Sequence, residues 1–346
     1  MIRLWKKRGL SLWLWPLSIL YQALVKIRNR RFDSNQNEFT QLNARVVSIG
    51  NITVGGTGKT PLVMAVTELL QGAGHRVAIL TRGYARNGKI PSVVTDGNHI
   101  QMSAAEAGDE PFMMAHRLSN VPVIVGANRS QTGQIAMDRF HPDTIILDDG
   151  FQHRQVARDV DVVTLDATHP FGNGWPLPAG PLREPLSALK RADLIVLTRT
   201  DQIDDPEPII QTIRRRTEAP ILTAVHQPLD WIRLDTEEIL PLDYLRNRFC
   251  LGFCGVGNPD SFEMTVRSTG IERLKTIPFR DHHVFTMRDY KRIDRAAEKF
   301  GAVALVTTEK DGARLGQKRR TRLPVYALRI ALKFSEKREA ITKLLT

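Results

Sequence analysis

Seven consecutive residues, Val54-Gly55-Gly56-Thr57-Gly58-Lys59-Thr60, place three glycines, a lysine and two hydroxyls in an order suited to phosphate chemistry. Glycines let the backbone approach phosphate oxygens and turn N–H groups toward them. The lysine then reaches β- and γ-phosphates, and the hydroxyl after it takes a place on Mg²⁺. On this reading Thr53, Val54, Gly55, Gly56, Thr57, Gly58, Lys59 and Thr60 form the nucleotide loop, and Thr60 also faces the metal. The loop is a variant. The usual G-x-x-x-x-G-K-[ST] spacing puts its first glycine at Thr53, and the K-G-G-x-G-K-T form has lysine where this chain has Val54. The bland alternative is a tight strand-to-helix turn with a surface lysine.

Four further places carry groups that such a loop could use. Thr144–Leu147 is an apolar run ending in Asp148 and Asp149, where an acid would hold Mg²⁺ directly or through water; which of the two touches the metal stays open. In Gly108-Asp109-Glu110-Pro111, either Asp109 or Glu110 caps the helix that follows, or Asp109 accepts the proton of a substrate hydroxyl. Arg183 lies in a long Gly/Pro loop from Phe171 to Pro185 and would neutralise phosphoryl charge, unless it merely pairs with Glu184. His282 or His283, after Asp281, would supply an imidazole to orient or relay for Asp109, although adjacent histidines are commonly surface residues. Thr81-Arg82-Gly83-Tyr84 adds a second phosphate candidate, and Thr307-Thr308-Glu309-Lys310-Asp311 caps a helix or lines a cleft.

These residues need a frame. Val46, Val47 and Ile49 make a short buried strand ahead of the glycine loop. Pro61 suits the first turn of the next helix, whose Leu62, Val66, Leu69 and Leu70 share a face before Gly72 and Gly74 stop it. Strand-like runs recur at Arg76–Leu80, Val121–Val125, Thr144–Leu147, Val160–Leu165, Leu194–Leu197 and Ile221–Val225, with helical spacing at Pro111–Leu118 and Gln131–Phe140. That alternation predicts an α/β fold with a doubly wound, mostly parallel sheet. Pro228–Leu242 reads as an irregular acidic crossing to a smaller second lobe. That lobe has strands at Phe249–Cys254, Ala302–Val306 and Val325–Leu328, a helix at Met287–Phe300 and a last helix at Glu336–Leu345.

The 346 residues suffice for about two domains. The formal charge of +12 is unevenly spread: residues 1–31 hold eight of the 49 Lys and Arg and none of the 37 acids, which leaves about +4 for residues 32–346. With no aromatic-basic face beyond that point, a nucleic-acid partner is not expected. The basic residues Arg3, Lys6, Lys7 and Arg8 precede seventeen uncharged residues, Gly9 to Val25, and Lys26, Arg28, Arg30 and Arg31 follow. A helix of that length spans ~26 Å against a ~30 Å hydrocarbon core, with Pro16 in its middle. It is therefore expected to lie in a membrane surface, with Trp5, Trp13 and Trp15 at headgroup depth and the basic flanks on anionic lipid. A helix packed on its own domain and a cleaved leader are the rivals. Asp33–Asn43 reads as a linker, and Cys250 and Cys254 read as small core residues in a reducing compartment.

Taken together, the ordered segments G-N-I-T-V-G-G-T-G-K-T-P, T-R-G-Y, A-G-D-E-P, D-D-G-F-Q-H, F-G-N-G-W-P-L-P-A-G-P-L-R-E-P, F-C-G-V-G-N-P, D-H-H and T-E-K-D resemble the tetraacyldisaccharide 4′-kinase family of lipid A biosynthesis. The resemblance implies transfer of the γ-phosphoryl group of ATP, with Mg²⁺, to the 4′-hydroxyl of an acylated glucosamine disaccharide 1-phosphate. It places the enzyme at the cytoplasmic face of a Gram-negative inner membrane, bound peripherally or monotopically. It further implies a P-loop lobe at 32–228, a smaller α/β lobe at 229–346 and a membrane-associated helix at 1–31. Lys59 and Thr60 fall on the phosphate and metal positions, Asp148 and Asp149 on the acidic pair, and Asp109 with His282 on the base dyad, His283 staying open. Arg183 and Glu184 match the family loop. The contrasting class is a membrane-associated P-loop switch or partition-type ATPase, for which the basic helix would suit but the large Gly/Pro loop and second lobe are surplus.

Overall fold

Short aliphatic runs that are apolar on both sides become the middle of one sheet, because a parallel strand covered by helices on each face has no solvent side to make polar. The computed structural model describes residues 12–34, 39–84, 86, 88, 90–315 and 321–346. Its strands are β1 (Arg45–Gly50), β2 (Val77–Thr81), β3 (Ser92–Thr95), β4 (Val123–Val125), β5 (Thr144–Asp148), β6 (Val160–Asp166), β7 (Leu194–Thr198), β8 (Ile221–Arg233), β9 (Glu238–Leu240), β10 (Cys250–Cys254), β11 (Leu274–Pro278), β12 (Ala304–Thr308) and β13 (Val325–Phe334). They form one sheet in the order β11-β10-β12-β13-β8-β7-β6-β1-β5-β2-β4-β3, with β9 hung on β8.

Alternate residues feed opposite cores. Val47 and Ile49 of β1 join Leu62, Val66 and Leu70 of the Lys59–Gly72 helix on one face, while Val46 joins Ile145, Leu147 and Ala136 on the other. Leu62 and Leu70 have no exposed surface, and burial of such a side chain stabilises by about 1.5–3 kcal/mol. β1 runs parallel between β5 and β6, with Ile49 opposite both Asp148 and Val162. This register brings the glycine loop and the Asp148–Asp149 turn out at one sheet edge, where open α/β sheets bind ligands.

Two lobes share this sheet. The first is built around β1 to β7 and the second around β10 to β12; β13 pairs parallel with β12 and antiparallel with β8, from Tyr326↔Arg233 to Phe334↔Ala224. Most of the stretch expected to be an irregular crossing is therefore strand. Pro228 and Asp230 break its apolar pattern, but Asp230 is satisfied across the seam by Arg329, 2.5 Å away, and Trp231 is fully buried beside it. The 228/229 boundary expected from sequence falls inside β8. Ile341 and Leu345 of the Arg338–Leu345 helix pack in the first lobe's core, and Arg45 at the start of β1 donates to the Leu345 carbonyl (2.8 Å).

Strand β11 was not anticipated, because Leu274-Lys275-Thr276-Ile277-Pro278 sits at the sheet edge with Lys275 and Pro278 exposed. The helices Glu207–Arg214 and Pro259–Arg267 were also unanticipated, while Met287–Phe300 has the expected bounds. Cys250 and Cys254 are buried free thiols.

The Trp15–Asp33 helix puts Pro16 in its first turn, where a missing N–H costs nothing, rather than in its middle. Trp5 and the basic residues Arg3, Lys6, Lys7 and Arg8 lie outside the described residues, as do residues 35–38 of the expected linker. Among the described residues no helix is long and apolar enough to cross a membrane.

Candidate active site

The glycine loop follows β1, and its geometry depends on residue type at two points. Gly55 (φ 114°) and Gly58 (φ 85°) occupy conformations that L side chains rarely adopt, and Gly58 opens the Lys59–Gly72 helix. Asn51 donates to the Thr57 hydroxyl (3.0 Å), and the Thr57 carbonyl accepts from the hydroxyls of Thr164 (2.9 Å) and Thr198 (3.1 Å), so strand-end side chains pin the loop. The second lobe touches it as well: a Cβ placed on Gly257 would come 2.4 Å from the Gly56 nitrogen.

A cleft of about 1960 Å³ opens here between the lobes, lined by the loop and by Asp148, Asp149, Arg183, His282 and Lys310 among others. Lys59 Nζ lies 3.3 Å from Asp149 Oδ1, and Arg183 donates to both Asp149 oxygens at 2.9 and 3.0 Å. Burial works to raise the Asp149 pKa, but the two cations outweigh it and hold the carboxyl well below its usual range. Arg183 therefore pairs with Asp149 and not with Glu184, which instead takes a bidentate grip from Arg191 at 3.0 and 3.1 Å.

Asp148 differs from its neighbour. Its Oδ2 accepts from Thr81 (2.7 Å), its carbonyl accepts from Arg129 (3.1 Å), and its buried Oδ1 has no hydrogen-bond partner. Burial, reinforced by Glu110 and Asp149, pushes its pKa up to about 6. A buried carboxylate oxygen left unpaired beside a phosphate loop is the donor a hard cation takes, so Asp148 and the Thr60 hydroxyl fit Mg²⁺. Among the described residues no group of three or more His, Cys, Asp and Glu is disposed to hold a metal.

Asp109 opens the Asp109–Arg117 helix, but its side chain makes no cap there. It is 7 % exposed, behind the cleft lining, and meets three cationic or titratable groups of the second lobe. Arg314 is in direct hydrogen-bonded contact, His282 Nδ1 lies 3.6 Å from Oδ1, and Lys310 Nζ lies 3.8 Å from Oδ2. Burial works to raise its pKa, but the His282 hydrogen bond and the charges of Lys310 and Arg314 outweigh it, so Asp109 ionises well below the ordinary carboxylate range. Lys310 also binds Glu110 (2.6 Å) and approaches His282 Nε2 (3.3 Å). His283 turns away to Asp289 (3.1 Å) and stacks on Phe279. Tyr84 of the T-R-G-Y segment lies against the His282 ring, 4.8 Å between centroids.

Three non-glycine residues that line the cleft hold left-handed backbones: Asp149 (φ 53°), Arg199 (59°) and His282 (57°). Such positions cost ~1–3 kcal/mol each and collect where geometry serves function. From sequence Lys310 reads only as a cap or lining residue and Glu110 only as a cap, while Arg314, Arg129 and Arg199 were missed. One signal was present: Lys310 and Arg314 are four apart and so share a helix face. The ion pairs they make span about 200 residues of chain, which local spacing does not encode.

The family profile described as Tetraacyldisaccharide-1-P 4′-kinase matches residues 10–346. The tetraacyldisaccharide 4′-kinase of Syntrophus aciditrophicus (strain SB) is 38 % identical over 351 aligned positions, covering 96 % of this chain and 93 % of that protein. The protein of the same name from Anaeromyxobacter sp. (strain Fw109-5) is 42 % identical, covering 90 % and 84 %. The crystal structure of "apo" form LpxK from Aquifex aeolicus in complex with ATP superposes with a TM-score of 0.77 at 32 % identity, covering 97 % of this chain and 98 % of that one. A phosphate loop facing a buried acid across one cleft, and matches of this length, lead to one assignment: the chain belongs to the tetraacyldisaccharide-1-P 4′-kinase family.

Proposed function

We infer that this chain carries its family's activity, moving the γ-phosphoryl group of ATP to the 4′-hydroxyl of tetraacyldisaccharide 1-phosphate and so making the bis-phosphorylated lipid A precursor. The observation that carries the reading is a single cleft that holds the phosphate loop on one wall and His282 and Lys310, with Asp109 behind them, on another. The amides of residues 55–60 and Lys59 grip the triphosphate. Arg183 neutralises charge on the transferring group. Asp109 takes the proton of the 4′-hydroxyl as its oxygen bonds to phosphorus and the bond to ADP breaks; His282 orients Asp109 and shares that proton. Asp148 and Thr60 would hold Mg²⁺, which supplies charge neutralisation on the phosphates when bound.

The acylated acceptor sits in a membrane, and the Trp15–Asp33 helix offers a means of meeting it. Trp13, Leu17, Leu20, Leu24 and Ile27 are exposed at helical spacing, beside Lys26 and Arg30. That combination supports association with an anionic surface, in keeping with the cytoplasmic face of an inner membrane.

Purified protein in detergent micelles with Mg²⁺ and terminally labelled ATP should transfer label to the glycolipid. Asp109→Asn should cut turnover by about 10²-fold or more while leaving ATP affinity within a factor of two or so. No label in the glycolipid from folded protein, or an Asp109→Asn variant that turns over normally, overturns the reading.

A further inference from the structure

The Trp15–Asp33 helix is seated on the loop that carries Arg183. Ser18 is 1 % exposed; its hydroxyl accepts from the Ala179 N–H (2.9 Å) and donates to the Pro176 carbonyl (3.1 Å). Tyr21 donates its hydroxyl to the carbonyl of Arg183 itself (2.9 Å), and Asn29 donates to Glu184 (2.6 Å). On its other side the loop is paired with the chain just ahead of the phosphate loop. The Arg183 N–H donates to the Ile52 carbonyl (2.8 Å) and the Val54 N–H to the Pro181 carbonyl (2.8 Å). The Arg183 main chain is thus held from two directions, by the helix and by the strand end, while its guanidinium reaches Asp149.

Glu184 locks the arrangement. Its side chain has no exposed surface and is shared by Arg191, Asn29 and Arg28, the last at 3.7 Å. Arg191 in turn lies over the Phe151 ring, 4.3 Å from its centroid, in the same turn that carries Asp149.

We propose that Ser18, Tyr21 and Asn29 are positioning residues for phosphoryl transfer: the seated helix fixes the backbone at Arg183 and so aims its guanidinium at the reacting phosphate. The proposal rests on the reading of Arg183 as the group that neutralises phosphoryl charge. An arginine aims well only from a fixed root, and a misplacement of ~1 Å in a reacting assembly costs as much as 10²-fold in rate. The exposed stripe of Leu17, Leu20, Leu24 and Ile27 lies next to the seated face formed by Ser18, Tyr21, Val25 and Asn29. The surface that meets lipid and the surface that aims Arg183 therefore belong to one rigid element.

The test is a double-mutant cycle on the full chain, with Tyr21→Phe, Arg183→Ala and their combination, alongside Ser18→Ala. It is read as kcat and KM for both substrates in mixed micelles, with the thermal midpoint as a check on folding. Tyr21→Phe removes one hydroxyl and should lower kcat about three- to tenfold with both KM values and the midpoint nearly unchanged. In the Arg183→Ala background the same change should have no further effect on kcat. An equal loss in both backgrounds would mean generic packing and overturn the proposal. So would Tyr21→Phe and Ser18→Ala variants with normal kcat when Arg183→Ala has lost it. Normal kcat in Arg183→Ala alone would remove the reading of Arg183 first, and the proposal with it.

Discussion

Asp109 and Asp148 are buried and Asp149 is half-buried, all three lining or backing one cleft, and their different surroundings give them different chemistry. Asp149 is answered by Lys59 and Arg183 and stays ionised; Asp148 keeps an unpaired oxygen and a raised pKa; Asp109 is answered from the other lobe. Because Lys310 is among the charges that depress Asp109, Lys310→Met should raise the pKa of that base. The acid limb of the kcat/KM profile should then move to higher pH, measured by initial rates from about pH 3 upward, because a limb set by Asp109 lies below the ordinary carboxylate range. An unmoved limb would mean that Asp109 does not set it. At this scale the sequence was informative where chemistry is local. The glycine loop and the Asp148-Asp149 strand end could be read directly, because each is set by neighbours in the chain. The choice between His282 and His283 could not, since it depends on a turn that faces one ring toward Asp109 and the other toward Asp289.

Elements explain why such side chains meet. Parallel strands announced themselves as aliphatic runs, so β1, β5, β6, β7 and the start of β8 at Ile221–Val225 were legible, whereas the rest of β8, broken by Pro228, and β11, with exposed Lys275 and Pro278, were not. The loop from Gly255 to Asn258 shows what elements add. Asn258 caps the Pro259–Arg267 helix and also donates to Asp166 (3.0 Å), while Gly257 presses its backbone on Gly56. Gly257→Ala would set a methyl 2.4 Å from the Gly56 nitrogen and 3.2 Å from the Gly55 Cα, all backbone that no rotamer change relieves. Overpacking of this kind costs ~1–3 kcal/mol. It should appear as a rise in the KM for ATP of about tenfold, with the KM for the lipid little changed. A variant with normal ATP kinetics would show that the two loops need not touch during turnover.

Across the whole molecule, the balance of buried titratable groups sets how stability depends on pH. His153 is pulled down to about 4 by burial and by Arg129, Arg158 and Arg82, and His226, almost wholly buried, is depressed as well. A histidine depressed in the folded state binds fewer protons there than in the unfolded chain between pH 4 and the ordinary value of 6.5. Stability therefore falls as pH drops across that window. Asp148 has the opposite sign, gaining as pH falls through about 6, and the depressed Asp109 and Asp149 act only below the usual carboxylate range. His153→Gln should flatten the decline of the thermal midpoint between pH 6.5 and 4 relative to the unsubstituted protein. An unchanged slope would show that His153 takes up its proton without penalty. The pairing of β8 with β13 was not visible from sequence, because a strand pair separated by about a hundred residues leaves no periodic mark.

The clasp of Ile341 and Leu345 on the core beneath β1 has a consequence for biosynthesis. A nascent chain leaving the ribosome exposes the glycine loop early, yet the hydrophobic layer under it lacks its last side chains until residues 338–345 have cleared the exit tunnel. That layer is thus completed only after the second lobe has been made, and a product truncated before residue 338 leaves apolar core surface uncovered, the kind of surface that chaperones and proteases act on.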